Sequence, residues 1–150
     1  MFRGITTLNL DTKGRLTIPT RYRQTLSELC EGRMVVTIDI EDRCLLLYPM
    51  PAWERVESRI QALPNIDRSA RRIQRLIIGH AADVDMDASG RLLIPGTLRE
   101  FAGLEGRIAL VGQGQRFEIW DETTWVAQRD VWLEADETKG LASELEELSL

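Results

Sequence analysis

Asp11-Thr12-Lys13-Gly14-Arg15-Leu16-Thr17-Ile18-Pro19 returns 76 positions later as Asp87-Ala88-Ser89-Gly90-Arg91-Leu92-Leu93-Ile94-Pro95. Both segments read Asp-x-x-Gly-Arg-Leu-x-Ile-Pro, so six of nine positions are identical. A weaker similarity continues downstream, where Glu31-Gly32-Arg33 corresponds to Glu105-Gly106-Arg107. The chain is therefore internally duplicated, and its fold must use the same unit twice.

Each repeat unit begins with the residues of a turn. Gly14 and Gly90 reach positive φ angles at no steric cost, and Asp11 and Asp87 can bind the backbone two residues further on. The flanking residues alternate between apolar and polar, which is typical of short strands, and the closing proline suits the start of a helix. Each half is thus predicted to be strand, turn, strand, short helix, strand, turn and strand. One half alone buries little surface, so we expect the two halves to pack together.

The duplicated Asp-x-x-Gly-Arg-x-x-Ile-Pro unit resembles the AbrB-type swapped-hairpin fold of bacterial transition-state regulators and of some antitoxins. Two copies in one chain, the opening Met1-Phe2-Arg3-Gly4 and the segment Leu45-Leu46-Leu47-Tyr48-Pro49 resemble the MraZ family, whose gene heads the bacterial division and cell-wall cluster. The resemblance implies an α+β fold that is mainly β. Two tandem SpoVT/AbrB-like swapped-hairpin halves would form one intrachain barrel of the double-psi or swapped-hairpin type, with linking and C-terminal helices.

Prolines and composition place the boundaries between the predicted parts. Pro51 can open a linking helix, and Pro64 interrupts it. Asp121 can cap a C-terminal helix. Two tryptophans of that helix are expected to dock it onto the body of the protein or onto a neighbouring subunit. Gly112-Gln113-Gly114 is predicted to form a hairpin turn. The predicted parts are a first AbrB-like domain at 5–52, a helical linker at 53–79, a second domain at 81–124, and a C-terminal helix with an acidic tail at 125–150.

The linker contains the densest positive cluster of the sequence. One face of its second helix would be apolar, and the opposite face would carry charge. A charge run of this kind usually solvates a helix or faces acids of a neighbouring subunit. Contact with DNA phosphates is the sharper interpretation, and the sequence alone leaves both open. The apolar face is predicted to contain Ile66, Ala70, Ile73 and Ile77, and the charged face Arg68, Arg71, Arg72 and Arg75.

The net charge of −5 argues against DNA binding only until its distribution is considered. Residues 1–33 carry six basic and three acidic side chains, whereas residues 118–150 carry two basic and ten acidic ones. DNA responds to the local surface potential more than to the total charge. The first half is therefore the electrostatically favoured half for a nucleic-acid contact, with the acidic tail placed away from it.

The turn of the first repeat carries the residues best suited to bind DNA. Arg15 can bind a phosphate, or the O6 and N7 atoms of guanine, through its planar guanidinium group, whereas Lys13 acts as a point charge. Asp11 could instead pair with Arg15 and only stabilise the turn, a contact worth about 0–1 kcal/mol when exposed. The spacing leaves both interpretations open. The AbrB resemblance favours DNA contact by basic residues around this hairpin, with Asp11 orienting Arg15.

The second repeat is less basic than the first. Ser89 stands in the place of Lys13 and Gly79 in the place of Arg3, so only one arginine of this set is retained. The first half therefore has the stronger electrostatic case for DNA binding. The predicted DNA-binding residues are Arg15, Lys13 and Arg3, with Arg91 ranked below them.

The sequence contains no recognisable catalytic, cofactor or metal motif. It lacks the Gly-x-x-x-x-Gly-Lys-Ser/Thr phosphate loop and the Gly-x-Ser-x-Gly nucleophile elbow. The single histidine, His80, and two separated cysteines, Cys30 and Cys44, form no nucleophile–base pair and no metal-ligand spacing. The cysteines are predicted to be small buried hydrophobes without a disulfide. We therefore expect no enzyme activity, no cofactor and no bound metal.

No apolar run approaches the roughly 20 residues that a membrane-spanning helix requires, and the N-terminus lacks a secretory pattern. A cytoplasmic, nucleoid-associated protein that does not enter a membrane is expected. The resemblance implies a transcriptional regulator that binds short direct repeats in double-stranded promoter DNA as a homo-oligomer, expected to be a ring. Its promoter targets are expected to be its own and that of the division and cell-wall cluster. The alternative is an antitoxin-like protein that binds and neutralises a partner through the segment from Trp125 to Leu148.

Overall fold

The computed structural model describes residues 1–135 and 147–148 of the chain. Most of the predicted acidic tail lies outside the described residues. The strands are β1 (Phe2–Asn9), β2 (Arg15–Thr17), β3 (Arg33–Ile38), β4 (Leu45–Pro49), β5 (Ala82–Asp85), β6 (Arg91–Leu93), β7 (Arg107–Gly114) and β8 (Phe117–Asp121). The helices are α1 (Thr20–Cys30), α2 (Met50–Gln61), α3 (Arg68–Ile73), α4 (Gly96–Ala102) and α5 (Glu122–Glu134), and a π-helix (Gln74–Ile78) continues α3.

Strands of the two halves are interleaved in one antiparallel sheet. Its order is β1-β7-β8-β4-β3-β5, and a separate two-stranded ribbon pairs β2 with β6. The order is symmetric about the central pair β4–β8, because each strand has its repeat equivalent at the mirrored position. The six-stranded sheet is open, with β1 and β5 at its edges. The fold is thus mainly β with several helices, as predicted.

The strands on either side of each repeat turn do not pair with each other, contrary to the simple hairpin that the turn suggests. β1 pairs with β7, and β2 pairs with β6, so both strands of the first unit find partners in the second half. The reverse exchange joins β5 to β3. The reason is burial: a two-stranded hairpin is marginally stable by itself, whereas exchange joins both halves around one core.

The ribbon covers the inner face of the large sheet. Leu16, Ile18, Leu92 and Ile94 are fully buried there, packed in one cluster with inward-facing residues of β3, β4, β7 and β8. Burial of such a side chain contributes about 1.5–3 kcal/mol. Because each half supplies two of these four residues, the main core is shared by both halves.

Backbone hydrogen bonds and two arginines connect the ribbon turns of the two halves. The Ile94 amide donates to the Gly14 carbonyl at 3.1 Å, and the Ile18 amide donates to the Gly90 carbonyl at 2.8 Å. Over each glycine lies a guanidinium group of the other half, Arg99 above Gly14 and Arg23 above Gly90. Nε of Arg99 also donates to the Ile94 carbonyl at 2.9 Å, and Nε of Arg23 to the Ile18 carbonyl at 2.8 Å. We call these contacts of Gly14, Ile18, Arg23, Gly90, Ile94 and Arg99 the cross-half clasp.

The boundaries of the helices and strands follow the signals in the sequence, with two exceptions. α5 begins after Asp121, whose Oδ2 accepts a hydrogen bond from the Thr124 amide at 3.0 Å, as predicted. Ile66 is 98 % exposed and lies before α3, so its predicted place on the apolar face is wrong. The residues 112–114 belong to β7 rather than to a turn, because pairing with β1 extends that strand to Gly114.

Replacing Gly14 with alanine should destabilise the protein more than replacing Gly103, the matched control. Both glycines have positive φ angles, 85° and 64°, so both variants carry left-handed strain of about 1–2 kcal/mol. A Cβ at Gly14 would lie 2.5 Å from Cζ of Arg99, whereas nothing lies within 4 Å at Gly103. We expect urea denaturation to show an additional loss of about 1 kcal/mol or more in the free energy of unfolding of Gly14→Ala.

The double variant Gly14→Ala/Arg99→Ala tests whether this additional loss comes from the clasp. Removing the guanidinium removes the clash, so the two substitutions should cost less together than the sum of their separate effects. Equal losses in Gly14→Ala and Gly103→Ala would contradict the proposed role of the clasp.

Candidate nucleic-acid interface

The outer surface of the ribbon presents the arginines of both repeats. Leu16 and Leu92 pair across the ribbon and point into the core, so their neighbours point outward. Arg15 lies opposite Leu93, and Arg91 lies opposite Thr17. The backbones of residues diagonal to each other in this way are roughly 7–8 Å apart, so the two arginines leave the ribbon on the same side. We call this surface, formed by Arg15, Thr17, Arg91 and Leu93, the ribbon face.

Asp11 fixes the backbone and the side chain of the first turn together. Its Oδ1 accepts hydrogen bonds from the amides of Lys13, at 2.9 Å, and Arg15, at 2.8 Å. Its Oδ2 accepts a hydrogen bond from Nε of Arg15 at 2.6 Å. Gly14 adopts a φ angle of 85° and donates its amide to the Asp11 carbonyl at 3.0 Å. One carboxylate therefore sets the shape of the turn and the direction of the arginine.

The Asp11–Arg15 pair leaves the outer part of the guanidinium group free. Within the described residues, Nη1 and Nη2 of Arg15 make no hydrogen bond, and the side chain keeps 28 % of its exposure. The pairing expected for a stabilised turn is thus present, and it uses only Nε. The terminal nitrogens can still donate in a fork to a phosphate or to a guanine edge.

The second turn repeats this geometry with a longer contact. Oδ1 of Asp87 accepts hydrogen bonds from the amides of Ser89 and Arg91, both at 2.9 Å. Its Oδ2 accepts from Nε of Arg91 at 3.2 Å, compared with 2.6 Å for the first repeat. Arg91 is thus held less closely than Arg15, and Ser89 provides no charge where Lys13 stands in the first repeat.

Both turn aspartates are stabilised in the ionised form. Hydrogen bonds from the backbone amide of Arg15, from its side chain and from the Lys13 amide lower the pKa of Asp11 below its ordinary value of 3.8. The equivalent bonds from Arg91 and Ser89 lower the pKa of Asp87 in the same way. Both carboxylates are therefore charged at neutral pH, where they hold their arginines.

The four predicted site residues do not lie together. Lys13 is exposed on the first turn, next to the ribbon face. Arg3 lies near the opposite end of β1, six residues or roughly 20 Å before Asn9. Its preceding residue, Phe2, enters the core, so Arg3 points to the outer side of the large sheet. The structure thus brings Arg15, Arg91 and Lys13 together and leaves Arg3 apart.

Three further arginines make structural contacts that the sequence did not predict. Arg21 lies near Arg3, donating to Thr6 and to the Tyr22 hydroxyl, and its guanidinium carbon is 4.5 Å from the centre of the Tyr22 ring. Arg23 and Arg99 form the cross-half clasp. Their separation of 76 residues equals that of the repeat motif, so extending the repeat comparison past the proline would have found the pair.

The arginine cluster of the linker lies away from the ribbon face. Ile77 and Ile78 of the linker pack against outward-facing residues of β3 and β4 on the outer side of the sheet, whereas the ribbon covers the inner side. Arg68, Arg72 and Arg75 line an open concavity of about 550 Å³ there. The cluster and the ribbon face are therefore separate positive surfaces.

Comparison with known proteins gives a match over each half of the chain. A family model described as "MraZ protein, putative antitoxin-like" matches residues 1–76 and again residues 77–146. Three proteins named transcriptional regulator MraZ align over 100 % of both chains. The identity is 56 % with the protein of Thioalkalivibrio sulfidiphilus, and 51 % with those of Halorhodospira halophila and Yersinia pseudotuberculosis. No helix in the described part of the chain is long and apolar enough to cross a membrane.

The titration of Asp11 tests the turn geometry. We expect the carboxyl ¹³C chemical shift to report a midpoint below 3.8 in the wild type. In Arg15→Ala the midpoint should rise only part of the way to 3.8, because the Arg15 and Lys13 amides still donate. A lowered pKa stabilises the fold above the unfolded value, and this stabilisation is lost as the pH falls through the folded value. An unshifted wild-type midpoint, or complete recovery in Arg15→Ala, would contradict this geometry.

Proposed function

This chain belongs to the MraZ family, and on that premise we propose that it is a sequence-specific DNA-binding transcriptional regulator. It acts in the cytoplasm at the nucleoid, on short direct repeats in double-stranded promoter DNA. Its targets are its own promoter and that of the division and cell-wall gene cluster. The relatives' name supports transcriptional regulation, and the arginines of the ribbon face support a role in DNA binding.

The observation that carries this proposal is the pair of oriented arginines on the ribbon face. Arg15 and Arg91 come from repeats 76 residues apart, yet in the β2–β6 ribbon they stand diagonally across from each other on one face. Each is directed by its own aspartate and keeps its terminal nitrogens for another partner. A rigid presentation of this kind lowers the entropy lost when a phosphate or base is bound.

The four residues have different roles in the proposed contact. Arg15 makes the main contact, because it is held most closely and has Lys13 beside it as an additional positive charge. Arg91 contributes a weaker contact from the second repeat. Arg3 lies on the outer side of β1. It contacts DNA only at the margin of the interface, or it contacts DNA that is bound mainly by a neighbouring subunit.

One ribbon face is too small for tight specific binding, so we propose that binding is multivalent. Subunits arranged in a ring present several ribbon faces to successive direct repeats, and avidity raises the affinity by about 10²–10⁴. Direct repeats suit subunits related by rotation, whereas a two-fold dimer suits a palindrome. The interleaved pairing of the halves further supports a swapped-hairpin origin of the fold, with the ribbon covering one side of the proposed barrel.

A second candidate function is the capture of a protein partner by the C-terminal helix. Trp132 is 41 % exposed and Leu133 is 76 % exposed on α5, and the matching family model carries the description antitoxin-like. An apolar partner surface could cover these residues. The duplicated unit within one chain favours the regulator, because it builds the paired arginine surface without a second chain.

The DNA proposal predicts that Arg15→Ala loses binding while Arg129→Ala keeps it. Arg129 is a matched control, since it is also exposed and ion-paired with a neighbouring aspartate, but on α5. Fluorescence anisotropy with the duplex upstream of the protein's own gene should show Arg15→Ala at least about tenfold weaker, the range expected for loss of a forked arginine contact. Arg3→Ala should have a smaller effect than Arg15→Ala. Light scattering must show the same assembly state in each variant.

A salt titration with the same duplex separates base contacts from phosphate contacts. If Arg15 binds a phosphate, its removal weakens cognate and scrambled DNA alike and reduces the salt slope by about 1. If it reads guanine, the loss is confined to the cognate duplex. Equal binding of cognate and scrambled DNA by the wild type would remove the regulator proposal.

Limited proteolysis tests the second candidate. A partner-binding tail of the antitoxin type is disordered until bound, so residues 121–150 should be cleaved first in the isolated protein. Protease resistance of this segment would count against capture of a partner by the tail. Protection of Trp132 in the isolated protein is expected if its contact with Trp120, at 5.8 Å between ring centres, holds α5 on the sheet.

A further inference from the structure

A thiol and two carboxyl groups converge on the outer side of the large sheet. Asp39 follows β3, Cys44 precedes β4, and Glu118 lies in β8, so the three come from adjacent strands. One potential ligand atom of each residue lies within 4.8 Å of the corresponding atoms of the other two. Cys44 is fully buried, and Glu118 is only 9 % exposed.

The fold itself does not require a glutamate at this position. Leu46 is the repeat equivalent of Glu118, and the two residues face each other in the central β4–β8 pair. Leu46 is 3 % exposed, so the equivalent position in the other half holds an apolar side chain. Burial of a carboxyl group carries a desolvation cost of several kcal/mol when it is charged and unpaired. Glu118 offsets part of this cost through the hydrogen bond that Nε1 of Trp120 donates to its Oε1 at 2.9 Å.

The equivalent position in the other half has no such donors. The repeat equivalents of Cys44 and Asp39 are Arg116 and Gln113, which bind each other through Nε and Oε1 at 3.2 Å. Within the described residues, the three-residue cluster therefore occurs once. The first half supplies two of its potential ligands, and the second half supplies one.

Each carboxyl group of the cluster accepts one hydrogen bond, and no fully buried side-chain nitrogen or oxygen among the described residues lacks a partner. Oε1 of Glu118 accepts a hydrogen bond from Nε1 of Trp120 at 2.9 Å, and Oδ2 of Asp39 accepts one from the Asp42 amide at 3.0 Å. Among the described residues, the second oxygen of each carboxylate and the Cys44 thiol make no hydrogen bond, and no cation pairs with Glu118 within 4.0 Å. The buried thiol of Cys30, by contrast, donates to the Leu26 carbonyl at 3.2 Å.

We propose that Asp39, Cys44 and Glu118 form a binding site for one divalent transition-metal ion of the zinc class. A thiolate with two carboxylates is a borderline donor set, which suits Zn²⁺ better than the oxygen-preferring Mg²⁺ or Ca²⁺. Tetrahedral Zn²⁺ bonds of about 2.0–2.3 Å place ligand atoms roughly 3.5 Å apart, so the cluster needs to contract by about 1 Å. A water molecule supplies the fourth ligand.

The surroundings of the cluster match those of a metal site. The Trp120 indole and the Asp42 amide orient the carboxylates, as outer hydrogen-bond partners do around bound metals. Asp39 is half-buried and also borders a concavity of about 140 Å³, which neither Cys44 nor Glu118 lines. Because its ligands come from both halves, a bound ion would join them across β3, β4 and β8.

Protons compete with the metal at this site. Burial, with the charges of Glu118, Asp39 and Asp42, raises the pKa of the Cys44 thiol, and Arg116 opposes this shift. Burial likewise raises the pKa of Glu118, opposed by the Trp120 hydrogen bond and by Arg116. Binding must displace the thiol proton, so the apparent affinity should rise by up to about tenfold per pH unit for each proton released.

Cobalt titration of the metal-stripped full-length protein tests the site directly. Co²⁺ is a spectroscopic substitute for Zn²⁺, and a thiolate ligand gives a sulfur-to-cobalt charge-transfer band in the near ultraviolet. We expect this band to saturate at one Co²⁺ per chain, to strengthen with rising pH, and to disappear when Zn²⁺ is added. Cys44→Ser should abolish the band, and Glu118→Gln should weaken Co²⁺ binding by at least about tenfold.

Cys30→Ser is the matched control, because it removes the other buried cysteine and should leave the band unchanged. Asp39→Asn adds a test at a half-buried position and should also weaken Co²⁺ binding. Circular dichroism establishes that each variant is folded. The proposal is overturned if the wild type shows no charge-transfer band, if Cys44→Ser retains it, or if Cys30→Ser loses it while folded.

Discussion

Two backbone hydrogen bonds, from Ile94 to Gly14 and from Ile18 to Gly90, tie each repeat turn to the other repeat. Two features favour glycine at these positions, since each has a positive φ angle and each lies beneath a guanidinium group that a Cβ would displace. This link accompanies the exchange of strands. Each turn is held by the opposite half, and its two strands pair elsewhere in the structure instead of with each other. The clasp and the exchange both join the halves around one main core.

The same constraint explains why the turn is a suitable place for a binding residue. The backbone of the turn is fixed from inside by the clasp and from outside by Asp11, so Arg15 starts from a defined position. The salt bridge therefore does not compete with binding. It takes one nitrogen of the guanidinium group and leaves the terminal pair, which has the geometry that phosphates and guanine require. In the proposed interface, one side chain would therefore combine a stabilising contact with a recognition contact.

Much of the fold could be predicted from the sequence because its signals are local. The turns, the helix starts after Pro19 and Pro95, and the Asp121 cap depend on residues that are close in the chain. Strand exchange could not be derived from periodicity, since alternation gives the face of a strand but not its partner. The location of Arg3 was missed for the same reason. The cluster of Asp39, Cys44 and Glu118 could not be predicted because its residues are separated by up to 79 positions and form no spacing motif.

The two halves differ least where they hold each other and most where they face outward. The turn aspartates, glycines and arginines, the buried ribbon residues and the clasp arginines occur in both copies. On the surface, Lys13 corresponds to Ser89 and Arg21 to Thr97, so the first half is the more basic. Around the β4–β8 pair, a leucine faces a glutamate at equivalent positions. A duplicated fold requires symmetry only at contacts between the copies. The remaining positions are free to diverge, and one symmetric frame can therefore hold a basic surface on one side and a cluster of thiol and carboxyl groups on the other.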